Sequence, residues 1–164
     1  MVLIRRFLVV CVGLVTALGA LTVPAGAALP SGVQVQVGLP LNAPHGVAVD
    51  SSGDVFVADT GNNRVIKITP AGSLSTVGTG FSSPQGVALD SSGDVFVANT
   101  GNNQVVKITP AGAQSTVSSG FSSPQGVAVD SSGDVFVANT GNNQVVKITP
   151  AGARSTVGSG LSRP

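Results

Sequence analysis

The chain has 164 residues, a formal net charge of +1, and charged side chains at only 9% of positions. That near-neutral balance, with no basic cluster, lacks the electrostatic footprint of a nucleic-acid binder. It also gives nothing to hold an anionic membrane surface. The only cysteine is Cys11, so no disulfide can form within the chain.

The first 27 residues read as a secretory signal peptide. Arg5 and Arg6 give a basic start, an uncharged apolar run covers 7–23, and Pro24 ends it. Ala25-Gly26-Ala27 then sets small residues before a cleavage point at Ala28. The apolar run falls short of the ~20 residues that span a bilayer, which favours cleavage over a retained anchor. Cys11 follows Leu8-Val9-Val10, without the small residue expected before a lipid-modified cysteine. The exported chain would sit outside the cell or in the cell envelope. It keeps six basic residues (Arg64, Lys67, Lys107, Lys147, Arg154, Arg163) and seven acidic ones, all Asp.

After 28–40, a phrase of 40 residues runs three times, over 41–80, 81–120 and 121–160. Copies two and three differ only at Leu89/Val129, Gln114/Arg154 and Ser118/Gly158. A fixed period near 40 marks an architecture in which each unit buries its apolar face on the next. Within copy one, Gly46-Val47-Ala48-Val49, Asp54-Val55-Phe56-Val57-Ala58, Arg64-Val65-Ile66-Lys67-Ile68 and Ser73-Leu74-Ser75-Thr76-Val77 are strands. Breaks rich in Gly, Pro, Asn and Asp separate them. No stretch carries a helical period. Each copy is therefore a four-stranded antiparallel meander. The first two strands are nearly all apolar, the third carries one lysine (Lys67, Lys107, Lys147), and the fourth is mostly Ser, Thr and Gln. That inner-to-outer gradient suits a β-propeller blade whose first strand lines the axis. Phe56, Phe96 and Phe136 are expected to fill the spaces between blades, with Leu41, Phe81, Phe121 and Leu161. Gly53, Gly93 and Gly133 fall where a hairpin needs positive φ. The Asp50-x-Ser52-x-Asp54 segment has glycine at its fourth position and Gly61 at its twelfth. It reads as a hairpin turn rather than a calcium loop.

Copy one has Asp59 and Arg64 where copies two and three have Asn99 with Gln104 and Asn139 with Gln144. Acid and base vanish together. The two positions are expected to touch across the turn between strands two and three, a charged pair exchanged for a neutral hydrogen-bonding pair.

The elements Pro44-His45-Gly46, Gly53-Asp54 and Thr60-Gly61-Asn62-Asn63, with their order and spacing in all three copies, resemble the NHL repeat. The resemblance implies an all-β propeller, usually six-bladed. It also implies the family's range of roles: extracellular sensor domains of bacterial Ser/Thr kinases, secreted bacterial proteins, and RNA- or protein-binding proteins. Related propellers include lactonases and lyases. The fold expected here is a partial propeller of three blades. Residues 33–37 align with the fourth strand of the repeat and form an outer, closing strand, and 161–164 open a further copy. Three blades do not close a ring, so both end blades are expected to expose apolar faces. Two explanations stand side by side: a piece of a longer propeller, or a homodimer completing a six-bladed ring.

Strand direction places two loop sets on one face. These are the lead-in loops around His45, Gln85 and Gln125, and the turns containing Asn62, Asn63, Asn102, Asn103, Asn142 and Asn143. Amides suit neutral hydrogen-bonding partners, so the reading is a non-catalytic binding module for a protein or a cell-envelope glycan, needing no cofactor. The bland alternative is that these residues only cap turns. The rival class, a lactonase- or lyase-like enzyme, wants several metal ligands. The exported chain offers one histidine, His45, and no Glu, so catalytic residues for that reading would lie outside this chain. A sensor ectodomain is the third reading.

Overall fold

The computed structural model describes residues 41–164. The expected signal peptide (1–27) and outer strand (28–40) lie outside the described residues.

Three four-stranded antiparallel sheets follow one another along the chain, one per repeat. The first contains β1 (Pro44–Val49), β2 (Val55–Asp59), β3 (Arg64–Ile68) and β4 (Leu74–Val77). The second contains β5 (Pro84–Leu89), β6 (Val95–Asn99), β7 (Gln104–Ile108) and β8 (Gln114–Ser119). The third contains β9 (Pro124–Val129), β10 (Val135–Asn139), β11 (Gln144–Ile148) and β12 (Arg154–Gly158). In each sheet the strands pair in chain order, so each is a meander of hairpins. The hairpin from β1 to β2 closes through Gly53, whose φ of +82° no β-branched side chain would tolerate. Asp50 Oδ1 accepts the backbone N–H groups of Ser52 and Asp54, each at 2.9 Å. This is an Asx-type turn, in which the carboxylate oxygen serves its own backbone.

Alternation along the strands sends Phe56 and Val65 to one face of the first sheet. There they meet Phe81, Val87, Val95, Val97, Val106 and Ile108 of the second, all buried. Phe96 and Val105 repeat the arrangement against Phe121, Val135, Val137, Val146 and Ile148 of the third. Each such side chain contributes about 1.5–3 kcal/mol when fully buried, so the core lies between sheets and not within any one of them. The architecture is a partial propeller of three blades.

The inter-blade aromatics divide by position. Phe56, Phe81, Phe96 and Phe121 are buried, but Phe136 is only half-buried and Leu41 and Leu161 are exposed. Leu41 and Phe136 belong to the first and last blades, whose outward faces meet no further described blade, and Leu161 opens the copy after the last. On the first blade, Val47 and Val49 are 64% and 61% exposed for the same reason, whereas Val87, the counterpart of Val47, is 7% exposed and Leu89, the counterpart of Val49, is half-buried.

Candidate functional site

The first strand of each blade begins at a proline and immediately bulges. Pro84 pairs with Asn99 and Gly86 with Ala98, which leaves Gln85 as the extra residue. Gln125 occupies the same place between Pro124 and Gly126. In the first blade the register slips between Pro44 and Val47, around His45. A proline fits here because it need not donate to the ladder at a strand start, and a bulge re-aims the side chain it carries.

The bulges bring His45, Gln85 and Gln125 together. With Gly46, Gly86, Val87, Gly126 and Val127 they line one shallow groove of about 380 Å³ where the three inner strands converge. Convergence is possible because the following residue is glycine. A Cβ on Gly46 would sit 2.4 Å from the Gln85 carbonyl oxygen, and one on Gly86 2.5 Å from that of Gln125. His45 and Gln125 are exposed and Gln85 half-buried. Among the described residues, no hydrogen bond engages the three side chains, whose amide and imidazole groups offer both donors and acceptors.

The Thr-Gly-Asn-Asn turns do a different job. Each is a single 3-10 turn (Thr60–Asn62, Thr100–Asn102, Thr140–Asn142) ended by an asparagine in the left-handed region, Asn63, Asn103 or Asn143, with φ near +54°. Asparagine tolerates that conformation better than most residues. The Asn63 carboxamide oxygen accepts Ser83 N–H of the next blade at 2.7 Å, Asn103 accepts Ser123 N–H at 2.9 Å, and Asn143 accepts Arg163 N–H at 3.0 Å. The hydroxyls of Thr60, Thr100 and Thr140 donate to the carbonyls of Pro84, Pro124 and Pro164 at 2.5, 2.6 and 2.7 Å. These side chains clasp one repeat to the next. Asn62 donates to Asp59 at 2.8 Å and Asn102 to the Gly80 carbonyl at 3.3 Å, while Asn142 is exposed. Of the nine residues read as one face, then, the structure groups His45, Gln85 and Gln125 in the groove. Asn63, Asn103 and Asn143 are engaged in structural bonds. Three repeats of the same Asn after Thr-Gly-Asn carried that signal, since a left-handed asparagine at a turn end is a common backbone device.

Asp59 and Arg64 face each other across β2 and β3, with Arg64 Nε donating to Asp59 Oδ2 at 2.7 Å. Asp59 is fully buried and also accepts Asn42 N–H at 2.7 Å. Burial alone would raise its pKa. The hydrogen bonds from Asn62, Asn42 and Arg64, with the nearby guanidinium, outweigh that and hold it below the usual carboxylate range. In copy two the expected neutral bond between Asn99 and Gln104 is not made. The Asn99 oxygen is fixed by Ser82 N–H at 2.7 Å, so its Nδ2 points where Asp59 has an acceptor, and that buried Nδ2 has no partner. Exchanging acid for amide put a donor where there had been an acceptor, and it finds no acceptor of its own.

A second set of charge pairs was missed in reading the sequence. Lys67, Lys107 and Lys147 pair with Asp54, Asp94 and Asp134 and lie over the rings of Phe56, Phe96 and Phe136, 5.5, 5.6 and 5.8 Å from the ring centres. The hydrogen bond to its aspartate, against a smaller opposing effect of burial, raises the pKa of Lys67 and of Lys147. The cue was Lys opposite Phe in neighbouring strands of every copy.

Comparison with known proteins places the chain. The family model for the NHL repeat matches residues 41–68, 81–108 and 121–148. No curated protein sequence matches at a significant level. Among solved structures, the chain is similar to a streptogramin B lyase (TM-score 0.66, 20% identity, 74% of this chain and 42% of that one). It is also similar to virginiamycin B lyase from Staphylococcus aureus (TM-score 0.64, 20% identity, 77% and 45%). A chain of a nidogen/laminin complex superposes at TM-score 0.70 with 19% identity, covering 76% of this chain and 52% of that one. Likeness at this identity shows the fold alone. The chain spans about half the length of these structures. With the repeat motif matched in all three blades, this chain belongs to the NHL repeat family.

Proposed function

We propose that the chain is an exported, non-catalytic binding module, and that the groove of His45, Gln85 and Gln125 is its contact surface. The observation that carries this is the repeated bulge. Three polar side chains at one repeat position converge at the hub, with no structural hydrogen bond to occupy them. Carboxamides recognise neutral donors and acceptors, so the partner is a protein segment or a cell-envelope glycan presenting uncharged polar groups. A catalytic reading finds less support. Of the residues lining the groove only His45 carries an acid–base side chain, and no carboxylate or nucleophile accompanies it there to orient a proton transfer. Similarity to lyases is matched by similarity to a chain of a nidogen/laminin complex. Export rests on the basic, apolar and small-residue order of residues 1–27.

The test is capture of envelope proteins and a glycan array, comparing the purified protein with Gln85→Ala/Gln125→Ala. Loss of the captured partner in the double variant, at unchanged thermal stability, is expected. Retention of every bound partner would refute the groove as the surface.

A further inference from the structure

The strand ends away from the groove carry a second repeated feature. Where the first and second blades meet, a cleft of about 340 Å³ is walled by Asp50, Lys67, Ser75 and Thr76 on one side and by Thr109 and Pro110 on the other. Where the second and third meet, a cleft of about 480 Å³ is walled by Asp90, Lys107, Ser115 and Thr116, facing Thr149 and Pro150. Both volumes lie in the range of roughly 300–1,000 Å³ typical of small-ligand sites. Corresponding residues of successive repeats build the two clefts.

Chemistry narrows what they would hold. Lys107 is tied to Asp94 and stays 34% exposed, so it is positioned yet reachable. Asp90 accepts Ser92 N–H at 2.9 Å and Asp94 N–H at 3.0 Å through Oδ1. These bonds hold the carboxylate in place while Oδ2 takes no part in them. Asp90, Asp94 and Lys107 together leave one surplus negative charge, which disfavours phosphates, sulfates and carboxylates. A fixed carboxylate, an ammonium, the Ser115 hydroxyl and the apolar proline ring form a mixed wall. Such a wall suits groups that donate and accept at once while presenting C–H surface between them, as sugar hydroxyls do. We propose that the two inter-blade clefts are saccharide sites for neutral oligosaccharides, one at each blade junction. This goes beyond the groove reading and does not depend on it. Two equivalent sites on one rigid frame also favour a repeating polysaccharide over a monosaccharide by effective concentration.

The test is isothermal titration of the purified protein with maltotetraose, mannotetraose and the tetramer of N-acetylglucosamine, with sialyllactose as an anionic probe. At least one neutral tetramer should bind at two sites per chain. The Asp50→Asn/Asp90→Asn variant keeps the Oδ1 acceptor that closes each turn, and should weaken binding about tenfold at unchanged thermal stability. Ser75→Ala/Ser115→Ala, on exposed outer strands, should weaken it as well. The proposal is overturned if no neutral tetramer binds at millimolar concentration, or if sialyllactose binds best. It is equally overturned if binding falls with Gln85→Ala/Gln125→Ala and is indifferent to the aspartate pair, which would assign the sugar to the groove.

Discussion

Gly86 and Gly126 occupy the same repeat position and should respond oppositely to alanine. A Cβ on Gly86 lands 2.5 Å from the Gln125 carbonyl oxygen and 2.9 Å from Val127 N, both backbone atoms. Reaching an ordinary contact of 3.4 Å requires the inner strands of the second and third blades to part by about 0.9 Å. A gap of that size forfeits roughly a quarter to a half of the dispersion well for the atoms it separates. Phe96, Phe121, Val135 and Ile148 lie in the packed layer behind it. Overpacking of a tight site costs about 1–3 kcal/mol, and Gly86→Ala belongs at the upper end because no side chain can swing away. On Gly126 the nearest atom is the Ala138 Cβ at 3.3 Å. A shift of a few tenths relieves that contact, and the restricted unfolded chain returns about 0.4–1 kcal/mol. Gly126→Ala should therefore be neutral or slightly stabilising. The chain has no Trp or Tyr, so urea unfolding is followed by far-UV circular dichroism. A midpoint lower by about 1 M is expected for Gly86→Ala, and essentially none for Gly126→Ala. Equal losses at the two positions would refute close approach of inner strands as the reason for glycine.

Four further outcomes follow from the packing and the charge pairs. Asn99→Asp with Gln104→Arg restores the acceptor that the orphaned Asn99 Nδ2 displaces; it should stabilise by about 1–2 kcal/mol in urea unfolding, and a loss would show that the amide is satisfied in solution. Because Asp59 is held below its unfolded value near 3.8, the unfolded chain binds more protons as pH drops. That contribution is present above about pH 4 and lost as pH falls through the folded value, so unfolding midpoints measured from pH 6 to 2 should flatten in Asp59→Asn/Arg64→Gln. The lysine pairs act in the other direction: with Lys67 and Lys147 raised above 10.5, their contribution persists through neutral pH and fades only at strongly alkaline pH. Finally, Phe121 is 5% exposed and lies 4.4 Å under the Arg154 guanidinium, whereas Leu161, its counterpart one repeat on, is 40% exposed. Phe121→Ala should cost about 3–5 kcal/mol and Leu161→Ala under about 1 kcal/mol by chemical denaturation.

Much of the fold was legible because the signal repeats. The 40-residue period, the apolar inner strands and the polar outer ones each appeared three times, and Phe56 and Phe96 sit between blades as their pattern required. Helical or strand periodicity alone would not have shown the bulge. It arises from Pro84 and Gly86 together, one indifferent to the lost ladder bond and the other admitting the neighbouring backbone. Nor did composition reveal that Ser83 and Ser123 adopt φ of +45° and +47°. Clasps from Asn63 and Asn103, two positions that looked like free surface, support these conformations. The orphaned Asn99 Nδ2 escaped for a related reason. Covariation of Asp59 with Arg64 reports proximity, but only coordinates show which oxygen Ser82 has already claimed.

Every site described here exists only if neighbouring blades stack. The direct measurement is a nuclear Overhauser experiment on methyl-labelled protein with selectively labelled phenylalanine. Cross-peaks from Phe56 to Val95 and Ile108, and from Phe96 to Val135 and Ile148, are predicted at the strength of contacts within a sheet. Strong cross-peaks within each meander, with none between meanders, would contradict the stacked-blade architecture, and with it both the groove and the clefts.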